Sequence, residues 1–102
     1  MKEYLVGHID DIPEGKGRSF KAGERTIAVF RSKGEFFAIA NRCLHKGASM
    51  CEGDLVDGGR TVRCPWHNWP FDLATGQNVL DPGERLRTYK VKLEGDQVIV
   101  CV

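Results

Sequence analysis

The sequence predicts an all-β domain. Twelve glycines punctuate its 102 residues. Between them lie short runs of β-branched and aromatic residues, the composition of strands separated by tight turns. No stretch carries an apolar stripe at the helical period. A chain of this length forms one domain, residues 1–102, with an adequate but modest core.

Tyr4 to Ile9 is the first predicted strand, followed by the turn-rich Asp10–Gly17. Arg18 to Ala22 is a short strand, and Gly23-Glu24 turns it into Arg25–Arg31. Ser32 to Glu35 turns again, into Phe36–Ala40. Residues 41–82 differ in texture, being rich in Cys, His, Trp, Gly and Pro with only short apolar pieces. There, Leu55-Val56 and Thr61–Arg63 flank Asp57-Gly58-Gly59 as a hairpin whose glycines can take positive φ. Phe71–Leu73 is followed by a turn at Ala74–Gly76. A strand resumes from Arg85 to Leu93, turns at Gly95-Asp96 and closes with Gln97–Val102. The pattern predicts a small subdomain, 41–82, inserted into an all-β base.

Fifteen basic and fourteen acidic residues give a net charge of +1. That balance argues against a nucleic-acid footprint, which needs a positive excess on one face. Met1–Gly7 contains no apolar run of the length a secretion signal or membrane anchor needs. The expectation is a soluble, cytoplasmic protein, monomeric when free.

Four cysteines are present, and two of them stand beside histidines: Cys43-Leu44-His45 and Cys64-Pro65-Trp66-His67. That is a metal-site pattern, not a disulfide framework. Each pair fits one turn, so each loop can give one ligand to each of two metals. Two thiolates and two imidazoles suit a [2Fe-2S] cluster, with soft thiolate on one iron and neutral imidazole on the other. A zinc site could draw on the same four side chains, but zinc modules usually group the cysteines together and the histidines together. Cys101 lies in an apolar strand and reads as a small buried hydrophobe. Cys51 falls between the two pairs with no assigned role.

The spacing resembles the Rieske motif, Cys-x-His followed by Cys-x-x-His. The gap from Lys46 to Arg63 is 18 residues, slightly longer than is usual in that family. One extra residue in the Asp57–Arg60 turn adds little to the loop-closure cost. Phe71-Asp72, Thr75-Gly76 and the Pro82-Gly83 loop extend the resemblance over nearly the whole chain. It implies three antiparallel sheets, with the cluster at the tip of the subdomain. It also implies that Cys43 and Cys64 bind the inner iron and that His45 and His67 bind the outer one.

High-potential members of that family join their two cluster loops by a disulfide. The corresponding positions here are Gly47 and Trp66. They also direct serine and tyrosine hydroxyls at cluster sulfur, where this chain has Trp69 and Phe71. Hydrogen bonds to sulfur stabilise the reduced cluster, so these replacements predict a potential near the low end of the Rieske range, about −150 mV. Trp66 and Trp69 are expected to pack the small module and to shape its docking face. Arg42 and Lys46 are expected on a solvated face, Pro65, Pro70 and Pro82 to stiffen the loops, and Gly47, Gly53 and Gly76 to meet backbone needs. His8 reads as a strand histidine remote from the site.

No dinucleotide fingerprint and no mononuclear iron triad is visible, so no independent catalytic site is expected. The resemblance implies an electron-transport ferredoxin. Its donor would be an NAD(P)H-dependent flavin reductase and its acceptor a terminal ring-hydroxylating oxygenase. The alternative it implies is the small subunit of an assimilatory NAD(P)H nitrite reductase.

Overall fold

The computed structural model describes residues 2–41, 49–65, 69–81 and 83–102. Among the described residues, nine strands fall in two sheets, joined by short turns and by single 3-10 turns such as Ile9–Asp11 and Met50–Glu52. They are β1 (Glu3–His8), β2 (Gly17–Ala22), β3 (Arg25–Ser32), β4 (Glu35–Ala40), β5 (Asp54–Val56), β6 (Thr61–Arg63), β7 (Pro70–Asp72), β8 (Thr88–Glu94) and β9 (Gln97–Cys101). The larger sheet runs β1-β9-β8-β4-β3-β2 and the smaller β5-β6-β7, with every strand pair antiparallel.

Two of the three expected sheets form the base, and they are continuous. The join between them is the short β4–β8 ladder, Ala38 opposite Tyr89 and Ile39 opposite Thr88. At the other edges β1 comes alongside β2, where a Cβ on Gly7 would lie 3.3 Å from the Phe20 ring. The six strands thus nearly close a barrel. Outside the small sheet, Lys2 and Val102 exchange backbone N–H to carbonyl bonds of 2.9 and 2.8 Å, so the two ends of the chain lie side by side.

Strand β3 shows why the layers stack. Ile27, Ala28, Val29 and Phe30 are all fully buried. Successive side chains alternate across a strand, so an uninterrupted apolar run marks a strand covered on both faces. Ile27 and Val29 join Ile12, Val98 and Val100 inside the barrel. Ala28 and Phe30 face outward into a second core with Met50, Val62, Phe71, Leu73 and Leu86. Phe30 needs its cross-strand partner to be glycine: a Cβ on Gly17 would lie 2.6 Å from its ring.

The β3–β4 turn locks the small sheet to the base. Lys33 and Gly34 both take positive φ, 52° and 79°, as a two-residue type I′ hairpin requires. Their N–H groups donate to the Glu14 carboxylate at 2.6 and 2.9 Å. Ser32 Oγ donates to the Gly59 carbonyl at 2.7 Å, reaching into the β5–β6 connection. Strand β8 starts at Thr88, three residues later than the sequence suggests. Arg85 instead forms a bridge with Gln77, and the Arg87 carbonyl accepts the Ala40 N–H. Among the described residues no helix is long and apolar enough to cross a membrane.

Candidate metal centre

Three chain segments have their stems at one end of the small sheet. The first spans residues 42–48. Its base is closed by Asn41, whose carbonyl accepts the Met50 N–H and whose Oδ1 accepts the Cys51 N–H, both at 2.9 Å. The turn that follows sits against β6, because a Cβ on Gly53 would strike the Arg63 carbonyl. The second segment spans 66–68. Cys64, just past β6, donates its N–H to the Trp69 carbonyl at 2.9 Å and so closes that stem.

The third segment lies around position 82. Val79 donates its N–H to the Pro70 carbonyl, and Asn78 stands opposite Phe71, so residues 77–79 run beside β7. The Asn78 N–H then bonds the Glu84 carbonyl at 2.9 Å. Asn78 Oδ1 accepts the N–H groups of Leu80 at 2.9 Å and Asp81 at 3.3 Å, an Asx-type turn that fixes the chain as it leaves the sheet.

Of the four expected ligands, Cys64 is described and is wholly buried among Met50, Val62, Phe71 and Leu86. Cys43, His45 and His67 lie outside the described residues, as do Arg42, Lys46, Gly47, Trp66 and Pro82. Trp69 is half-buried against the core that holds Cys64, in keeping with a packing role. Phe71 is wholly buried and brings no hydroxyl to that core. Gly53 answers close backbone approach. Gly76 has φ of +77°, and a Cβ there would strike the Leu86 carbonyl.

Cys51 is half-buried against the same core and contributes its backbone N–H to the first stem. Cys101 is buried in β9. His8 ends β1, where its Nδ1 accepts the Asp10 N–H at 3.0 Å beside Asp96, in the turn that joins β8 to β9. Two residues that spacing did not single out matter here, Asn41 and Asn78. The turn-rich Asn78–Gly83 run was the available signal for the second.

Asn78 is fully buried, and its Nδ2 has no hydrogen-bond partner among the described residues. A stranded buried donor costs about 1–3 kcal/mol. A buried thiol and an unpartnered buried N–H on one face of the small sheet fit an iron–sulfur group, whose sulfur atoms are anionic acceptors. The donor set supplied by the sequence, two thiols and two imidazoles, fits it as well.

Comparison with known proteins agrees. Residues 2–90 match the Rieske [2Fe-2S] domain family. The chain is 41% identical over 101 residues to the 3-phenylpropionate/cinnamic acid dioxygenase ferredoxin subunit of Escherichia coli K12, covering 98% of this chain and 93% of that one. It is 35% identical over 99 residues to human apoptosis-inducing factor 3, covering 96% of this chain but only 16% of that much longer protein. Among solved structures, the ferredoxin of carbazole 1,9a-dioxygenase from Nocardioides aromaticivorans IC177 superposes with a TM-score of 0.89 at 26% identity, covering 98% and 97% of the two chains.

Proposed function

Because this chain belongs to the Rieske [2Fe-2S] domain family, we propose that it is a soluble one-electron carrier serving a ring-hydroxylating oxygenase. In this reading Cys43 and Cys64 hold one iron, and His45 and His67 hold the other. An NAD(P)H-dependent flavin reductase is the donor, a terminal oxygenase the acceptor, and the cytoplasm the compartment. The observation that carries the reading is the meeting of three closed loop stems at the end of the small sheet where Cys64 is buried.

When bound, the cluster takes up and gives back a single electron. The chain's own residues set the conditions. The apolar wall around Cys64, formed by Met50, Val62, Phe71 and Leu86, keeps water from its sulfur. Exclusion of water, with no hydroxyl at Trp69 or Phe71, favours the less charged oxidised form and supports a potential near the low end of the family range, about −150 mV. Val79 and Leu80, 55% and 73% exposed, present apolar surface on the third segment, as the centre of a docking face does.

Electron paramagnetic resonance of the dithionite-reduced protein tests the cofactor, since mixed His/Cys ligation gives a lower average g value than all-Cys ligation. Zinc without acid-labile sulfide would refute it. Reconstitution with a flavin reductase and a ring-hydroxylating oxygenase tests the role. The carrier should make product formation depend on its own concentration. Permanent co-purification with a larger reductase would make it a fixed subunit instead. Voltammetry giving a midpoint above about +100 mV, well up the family range, would refute the low-potential assignment.

A further inference from the structure

We propose that Asn78 is a positioning residue for the cluster: its amide oxygen fixes the third loop, and its Nδ2–H donates a hydrogen bond to sulfur of the centre. This rests on the iron–sulfur reading above and extends it to a residue outside the ligand motif.

The placement follows from sheet register. Val62 stands opposite Phe71, and Phe71 opposite Asn78. Directly paired residues project to the same face, and Cys64, two residues beyond Val62, shares it. All four are wholly buried. The buried residues packed with them, Met50, Leu73 and Leu86, are apolar. A primary amide has two N–H donors, and buried donors nearly always find a partner. Asn78 Oδ1 is engaged by Leu80 and Asp81, while Nδ2 is engaged by nothing among the described residues.

Among the described residues one other buried nitrogen is in the same position, Arg31 Nε, and it belongs to the base. There the guanidinium already donates to the Ile9 and Ile12 carbonyls and lies 5.4 Å above the Phe36 ring. Asn78 has no such substitute. Anionic sulfur, whether thiolate or bridging sulfide, is an acceptor suited to a buried donor on this face. Phe71 brings no hydroxyl to this core, and the residue paired with it across the strands carries the amide. That amide belongs to the segment that runs beside β7.

The test uses the holoprotein with nitrogen-15 placed only in asparagine side-chain amides. The chain has three asparagines, Asn41, Asn68 and Asn78. Pulsed electron paramagnetic resonance of the reduced cluster should show a weak nitrogen-15 coupling. It should vanish in Asn78→Asp, persist in Asn41→Asp, and be accompanied in Asn78→Asp and Asn78→Leu by a lower midpoint potential. If Asn78→Asp does not retain its cluster, the assignment passes to the other two variants: a coupling that survives both Asn41→Asp and Asn68→Asp belongs to Asn78. Absence of any asparagine coupling in the wild type, or its loss in either of those two variants, would overturn the proposal while leaving the iron–sulfur reading intact. Absence of a Rieske signal in the reduced wild type would overturn both.

Discussion

Replacing Asn41 with alanine probes the closure of the first loop. The substitution removes the acceptor of the part-buried Cys51 N–H, a bond of 2.9 Å. The backbone bonds of residue 41 to Thr26 and Met50 survive it. Stranding one buried donor costs about 1–3 kcal/mol. For 102 residues the unfolding entropy near 60 °C is about 0.2 kcal/mol/K, so the melting midpoint should fall by roughly 5–14 °C. Asn41→Asp keeps Oδ1 and should stay within about 3 °C of the wild type. The assay is thermal melting of the holoprotein at pH 8 and one fixed scan rate, followed by far-ultraviolet circular dichroism and by visible absorbance. Because the bond closes one loop and no strand pair, colour should bleach before strand structure melts in Asn41→Ala. An alanine variant within about 2 °C of the wild type, or an aspartate variant that drops as far as the alanine one, would refute the reasoning.

Three further outcomes follow from the packing. Gly76→Ala combines a left-handed backbone, about 1–2 kcal/mol, with overpacking against Leu86 and Thr88, about 1–3 kcal/mol. Urea denaturation should show a loss of about 2–5 kcal/mol. The Gly34 and Lys33 N–H groups hold the Glu14 carboxyl below its usual pKa. Its contribution is therefore fully present above the unfolded-state value and disappears as pH falls through the folded one. Glu14→Gln should flatten the melting midpoint's dependence on pH below about 4.5, and a wild-type slope unchanged by the substitution would count against this. Cys64→Ser should lose the iron absorbance. Cys51→Ser should keep it, because the bond from residue 51 comes from its backbone.

Strand positions and turns were largely legible because they rest on local chemistry. The Lys33-Gly34 and Gly95-Asp96 turns sit between apolar runs, and β3 carries four consecutive apolar residues, Ile27-Ala28-Val29-Phe30. Strand β8 starts later than its composition suggests because Arg85–Arg87 have strand-like neighbours but spend their hydrogen bonds on Gln77, Gly76 and Ala40. The two Cys-His pairs stood out because metal ligands have fixed identities and tight spacing; of the four, only Cys64 falls among the described residues. Asn41 and Asn78 did not stand out. Each acts through an amide oxygen that closes a loop, and which backbone N–H it meets depends on how segments far apart in sequence converge. Cys51 was conspicuous for its thiol, yet the group in use is its main-chain nitrogen.

The bonds between Lys2 and Val102 place entry and exit of the domain at a single point. A domain of that geometry is portable. It can be spliced into a surface turn of a host protein, or circularly permuted by a short linker across its ends, without drawing any strand out of register. An opening cut at the exposed Gly95-Asp96 turn would leave all three loop stems uncut, so a permuted chain should still assemble its redox centre.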